Sequence, residues 1–286
     1  MGRPDLAVKT NVTKEDLAGH LFDSIRKKIL PLNNDIIIYP AHGSGSACGK
    51  NISKETFDLL GNQKQTNYAL NKNLKKEEFI KEVLEGILPS PQYFPKNIIL
   101  NKTTIKKTVN NIIESGTKPL TIEEFDKEVK GGALILDVRH QKEFVKGHVP
   151  GSWFIGLDGA FAPWVGSLIK NINQKIVIIC PKGRNEEVVT RLARVGYDNA
   201  VGFLKGSFST WEKNGRKIET ITQETATGLE EKQQNKINIL DVRKQSEFKI
   251  EHIETAKNKP LDDIHNQNKK IDKEKKYHIH CAGGYR

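Results

Sequence analysis

Ile135-Leu136-Asp137-Val138-Arg139-His140-Gln141-Lys142-Glu143-Phe144 returns 104 residues downstream as Ile239-Leu240-Asp241-Val242-Arg243-Lys244-Gln245-Ser246-Glu247-Phe248. The match persists to His148 and His252, each four residues past its Phe. Farther along, Ile176-Val177-Ile178-Ile179-Cys180 answers Tyr277-His278-Ile279-His280-Cys281. Self-similarity of this kind means one structural unit used twice in tandem. In each copy a short apolar run ends in Asp-Val-Arg and leads into a polar helical turn, and a second apolar run ends in Cys. In the first copy a helix with apolar residues at Ile122, Phe125 and Val129 precedes the strand 133–136. A helix over 186–195, stopped by Gly196, and a strand over 200–204 complete it. Strands alternating with helices predict an α/β fold with a parallel sheet covered on both faces. Ligands in such sheets bind beyond the carboxyl ends of the strands, where both cysteines stand.

The first copy spans 117–220 and the second 225–286, which is 62 residues against 104. The second copy is therefore expected to lack the helix after its Cys loop and its last strand. Residues 1–112 do not repeat and form a third part. The composition is that of an ordinary globular chain, 36% hydrophobic and 28% charged. No apolar run approaches the ~20 residues of a membrane span, and Met1-Gly2-Arg3-Pro4-Asp5 opens no secretory signal, so neither membrane association nor export is expected and the compartment expected is the cytoplasm. The net charge of +11 comes nearly all from Lys interleaved with acids. Without a stripe of Arg and aromatic residues to stack bases, it predicts a solvated surface that attracts small anions and no nucleic-acid partner. Three widely spaced cysteines, Cys48, Cys180 and Cys281, make no disulfide framework. Each is a buried small residue or a reactive thiolate.

The run His280-Cys281-Ala282-Gly283-Gly284-Tyr285-Arg286 has the makings of the second. A sulfur carrier needs a thiolate that attacks a sulfur donor, holds the sulfur as a persulfide anion and yields it to an acceptor. Backbone N–H groups curled around the sulfur stabilise both anions. Gly283 and Gly284 permit positive φ and close approach, and Arg286 brings a forked cation for an oxyanion.

These residues resemble the rhodanese family, whose active loop is Cys-x-x-Gly-x-Arg, here Cys281, Gly284 and Arg286, with Asp241-Val242-Arg243 and Glu247-Phe248 upstream. The resemblance implies a sulfurtransferase with Cys281 as nucleophile and Gly283, Gly284 and Arg286 as substrate-binding residues. A cysteine phosphatase or arsenate reductase would use a similar His-Cys pair, but its closing Arg stands one position later, in a wider ring. In the first copy Cys180 is followed by Pro181-Lys182-Gly183-Arg184, so Arg184 arrives one position early and Pro181 removes a cradle N–H. That copy reads as a degenerate, structural module with Cys180 as a strand-end residue, and the Asp-Val-Arg residues read as fasteners of strand to loop.

In the N-terminal part, Thr13 caps a predicted helix to Lys28, and a strand over 35–39 runs into Pro40-Ala41-His42-Gly43-Ser44-Gly45-Ser46-Ala47-Cys48-Gly49. With Gly2-Arg3-Pro4-Asp5-Leu6 and Gln92-Tyr93-Phe94-Pro95-Lys96-Asn97, it is similar to the last part of a metallo-β-lactamase αββα fold of the persulfide dioxygenase kind. The resemblance implies a fusion of that domain to two rhodanese modules, cut at both ends. It places His42 near a metal, Arg3 and Asp5 near a substrate pocket, and Cys48 on a loop facing it. The parent would hold Fe(II), whereas this chain, without the family's His-x-His-x-Asp-His cluster, is expected to hold none. The implied function is persulfide and thiosulfate metabolism, with a small-molecule persulfide or thiosulfate donor and a thiol acceptor as partners and homo-oligomerisation left open. Lacking the helix behind its Cys loop, this chain is expected to be impaired or inactive as an enzyme, and a non-catalytic binding fragment is the alternative from a different class.

Overall fold

The computed structural model describes residue 4 and residues 12–41, 54–85, 93–103, 107–233, 237–267, 271–272 and 274–286. They form two compact units, Met1–Ser90 and Pro91–Arg286.

In the first unit, helix α1 (Lys14–Ser24) begins at a capping box in which Thr13 and Asp16 satisfy each other's backbone N–H groups. It runs on as a π turn over Ile25–Ile29, closed by the Leu30 N–H on the Ile25 carbonyl at 2.9 Å. The predicted strand over 35–39 is shorter: β1 (Ile37–Ile38) pairs antiparallel with β2 (Asp58–Leu59). Helices α2 (Leu60–Thr66) and α3 (Lys76–Leu84) follow. Ile25, Leu60, Leu70 and Phe79 are the buried centre. Phe79 meets Phe22 edge-on at 5.3 Å between ring centroids.

The second unit opens with α4 (Phe94–Lys102) and α5 (Val109–Gly116). The non-repeating part was expected to run to residue 112, yet Ile112 is buried with Val189 and Ala200 of the first repeat and Tyr93 packs on the same cluster. The reason is steric fit. At Gly116 a Cβ would stand 2.6 Å from Val189 Cγ2, so only glycine lets α5 lie this close. The first module then runs β3 (Pro119–Leu120), α6 (Ile122–Lys130), β4 (Leu134–Asp137), α7 (Gln141–Lys146), β5 (Trp153–Phe154), α8 (Phe161–Leu168), β6 (Ile176–Ile179), α9 (Asn185–Ala193), β7 (Ala200–Leu204) and α10 (Ser207–Lys213). Its five strands are all parallel, in the order β3-β7-β6-β4-β5.

Alternation along the strands makes two cores. Leu136, Ile176 and Ile178 face α5, α8 and α9, while Ile135, Val177 and Ile179 face α6 and α10. That is why Ile176 to Ile179 is apolar without a break: a parallel strand covered on both faces has no wet side.

After α10 the chain turns back along this module, with a two-way backbone bridge between His148 and Glu219 and the Ile221 N–H on the Val145 carbonyl at 2.9 Å. It then enters α11 (Ala226–Gln233), β8 (Asn238–Asp241), α12 (Gln245–Ile250), β9 (Lys257–Asn258), α13 (Ile264–Gln267) and β10 (Tyr277–His280). The three strands are parallel in the order β10-β8-β9, the arrangement of β6-β4-β5. The registers repeat as well: Asp137 lies opposite Ile179, and Asp241 opposite His280.

Ile178 is fully buried in the larger core. Ile178→Ala should lower the unfolding free energy by about 3 kcal/mol, read from the midpoint of a urea titration at unchanged slope.

Candidate active site

Both modules place an Asp at the carboxyl end of the central strand and spend it on their own Arg two residues on. Asp137 takes the Arg139 guanidinium through Nε at 3.0 Å and Nη2 at 2.6 Å, and Arg139 donates onward to the Gly147 carbonyl at 2.9 Å. Asp241 and Arg243 repeat this at 3.1 and 2.6 Å, with the Glu251 carbonyl at 2.7 Å. The fork ties strand, loop and the end of the following helix together. His148 and His252 each stack on the Phe four residues back, at 4.0 and 3.8 Å between centroids, with Nδ1 on that residue's carbonyl. The two clamp carboxyls are shifted in opposite directions. Burial raises the Asp137 carboxyl above its ordinary value against the pull of Arg139. At Asp241 burial also pushes up, but the Arg243 hydrogen bonds together with His280 bring the carboxyl below it.

His280 ends β10 with Nε2 at 3.3 Å from Asp241 Oδ2, and Cys281 begins the loop, partly exposed. Gly284 turns the chain with φ +81°, a left-handed conformation suited to glycine, and aims its N–H at Cys281 Sγ, 3.1 Å away. Arg286 lies near enough to the sulfur to feel its charge, and Glu247 first, then Cys281, raise the guanidinium. Both its Nη groups lie on Glu247, at 2.6 and 2.8 Å. The Arg286 fork, with the Lys244 N–H, holds the Glu247 carboxyl down at about 2 against the opposing effect of burial. A substrate anion would therefore meet a guanidinium already balanced on one edge, which the sequence reading of Arg286 did not anticipate.

Two further features come from the first module. Gln141 Nε2, at the start of α7, donates to the Gly283 carbonyl at 2.7 Å. The Tyr285 ring lies over the loop after β5: a Cβ at Gly156 would stand 2.5 Å from Tyr285 Cε1, and one at Gly159 3.1 Å from Cδ1. His140 meets the ring edge-on at 5.9 Å, and Phe154 lies near-parallel at 6.3 Å. Elsewhere His265 Nε2 donates to the Leu168 carbonyl at 2.6 Å. The modules thus meet at the Cys281 loop. Glu247 was visible in the sequence as part of the repeated Glu-Phe pair. Gln141 recurs as Gln245 in the same repeat, but nothing in the spacing marks its role or that of Tyr285, because their partners lie across a module boundary.

At Cys180 the same strand end holds different chemistry. The thiol is buried among apolar side chains, and burial, then the Asp137 carboxylate, push it up to about 11. Arg184 turns away to Asp158 at 2.6 Å and Glu187 at 2.8 Å. Gly183 keeps a positive φ of +80°, a trace of the same loop shape. Arg3, Asp5, His42 and Cys48 lie outside the described residues. Among the described residues no three His, Cys, Asp or Glu side chains converge on a metal site, so these do not supply the set that a two-His-one-carboxylate iron centre takes. No helix among them is long and apolar enough to cross a membrane.

The rhodanese-like domain family matches residues 121–214 and 224–286, more than half of the sequence. The chain belongs to the rhodanese family. Among solved structures, the match to a metallo-β-lactamase from Staphylococcus aureus subsp. aureus COL has a TM-score of 0.54 at 26% identity, covering 70% of this chain and 53% of that one. Rhodanese modules together with a metallo-β-lactamase likeness are the combination expected of a fusion of the two. A thiosulfate sulfurtransferase from Pseudomonas aeruginosa matches with a TM-score of 0.32 at 17% identity, covering 68% of this chain and 42% of that one. A rhodanese-like domain from Anabaena sp. matches with a TM-score of 0.32 at 20% identity, covering 38% and 86%. This rhodanese chain spans about half the length of the first two structures. No curated protein matches it in sequence.

The two rhodanese cysteines should separate cleanly under alkylation. At about pH 8, iodoacetamide should label Cys281 in the folded chain and leave Cys180 unlabelled until denaturant is added, as peptide mass spectrometry will show. The Glu247 pair gives a pH signature. Its folded value lies below the ordinary 4.5, so the stabilisation is complete above that value and is lost as pH falls through about 2. The Tm deficit of Glu247→Gln relative to wild type should therefore shrink as pH is lowered across that window.

Proposed function

We propose that this rhodanese chain transfers sulfane sulfur through a persulfide on Cys281. The observation that carries the reading is the Gly284 N–H on Sγ at 3.1 Å with Arg286 beside it, at the carboxyl end of a parallel strand, where such sheets do their chemistry. With thiosulfate as donor, the Cys281 thiolate attacks the outer sulfur. A new S–S bond forms, the bond to the sulfonate breaks, and its electron pair leaves with sulfite. An acceptor thiolate or cyanide then attacks the outer sulfur of the persulfide and releases the Cys281 thiolate. Each intermediate keeps one negative charge near Sγ, so an N–H aimed there serves both halves of the cycle. A low-molecular-weight persulfide serves as donor by the same exchange, with a thiolate leaving in place of sulfite. A reducing compartment such as the cytoplasm suits a reaction that starts from a free thiolate.

Support for a wider role comes from the likeness to the Staphylococcus aureus metallo-β-lactamase. We infer that sulfur transfer here belongs to a larger iron-dependent persulfide oxidation, with the iron a property of the parent enzyme and none held by this chain. Incubation with thiosulfate and cyanide should yield thiocyanate from wild type and from Cys180→Ser, and at least about a hundredfold less from Cys281→Ser. Equal rates from Cys281→Ser and wild type would end the reading.

A further inference from the structure

We propose that Gln141, in the module with the inert cysteine, is a positioning residue for Cys281, an inference that rests on the sulfur-transfer reading above. The Gly283 carbonyl that accepts from Gln141 and the Gly284 N–H that donates to Sγ are two ends of one peptide group. Gln141 Nε2 holds the oxygen at 2.7 Å, and Sγ lies 3.1 Å from the nitrogen. A planar trans peptide points its C=O and N–H in opposite directions, so fixing one fixes the other.

This peptide needs fixing. It joins two glycines, one at φ +81° and the other with open space where a Cβ would stand. Glycine allows a rotation of the whole plane at little steric penalty. The rotated plane would turn the carbonyl oxygen toward Sγ, against a thiolate or a persulfide anion. Gln141 opposes that rotation, and by accepting the hydrogen bond the carbonyl polarises its own N–H toward the sulfur.

The Gln141 amide itself has one sensible orientation. Its Oε1 is buried without a hydrogen-bond partner, yet the reverse orientation would set oxygen against the Gly283 oxygen. The amide also lies against Gly284, where a Cβ would come within 3.3 Å of Nε2. Tyr285 keeps the loop within reach by seating its ring on Gly156 and Gly159.

The test uses the whole chain and follows iodoacetamide alkylation of Cys281 by peptide mass spectrometry between about pH 6 and pH 9. Gln141→Ala should alkylate about three- to tenfold more slowly near pH 7, with its rate curve displaced to higher pH and meeting wild type at the alkaline end. Gln141→Glu, which offers an acceptor where a donor is needed, should be at least as slow. Gln141→Arg, which keeps a donor, should restore the rate to within about twofold. A wild-type rate for Gln141→Ala across the range, or a Gln141→Arg as slow as Gln141→Ala, overturns the assignment. Alkylation needs no sulfur donor. A chain that shows the Gln141 effect but makes no thiocyanate therefore refutes the sulfur-transfer reading and leaves Gln141's hold on the thiol standing.

Discussion

A carboxylate buried at the end of a central strand must be paired or it will not stay charged. In both modules the partner is the Arg two residues on, so the clamp is local and forms from three consecutive residues. Its second bond, to a carbonyl at the far end of the next helix, converts charge pairing into chain direction. The short helices that leave the clamps carry Gln141 in one module and Glu247 in the other. One contacts the Gly283 carbonyl, the other Arg286, so the Cys281 loop is held from two clamps at once.

The electrostatics of the two strand ends then diverge from a shared frame. At β6 the residue opposite Asp137 is Ile179, and Cys180 is sealed among apolar side chains near the Asp137 carboxylate. At β10 it is His280, which faces Asp241 and leaves Cys281 open. Arg184 is drawn off by Asp158 and Glu187, whereas Arg286 is drawn to Glu247 without leaving the sulfur. One position of difference in the Arg thus decides which cysteine has a cation beside it.

Much of this was legible from residue order alone. The repeat of Ile-Leu-Asp-Val-Arg announced two copies of one sheet, and the unbroken apolar run 176–179 announced burial on both faces, because each follows from periodicity within a few residues. The clamp was legible as a strand-to-loop fastener for the same reason. What escaped was long-range. Gly116 looks like an ordinary helix-ending glycine until Val189 is seen against it, and that contact is what attaches α5 to the first module. Gln141 is repeated as Gln245, yet its polar stretch does not show what it reaches, and Tyr285 sits in a loop where the motif leaves the position free. Their partners are fixed by how two domains meet, which no spacing within either domain encodes.

The Gly156–Gly159 turn gives this arrangement a consequence for the chain as a set of parts. It is shaped for a ring that belongs to the other repeat, with room for no side chain of its own beneath Tyr285. Excised alone, the second repeat would keep every letter of its signature and lose a wall of its site. The boundaries that divide the chain as text and those that divide it as an instrument do not coincide.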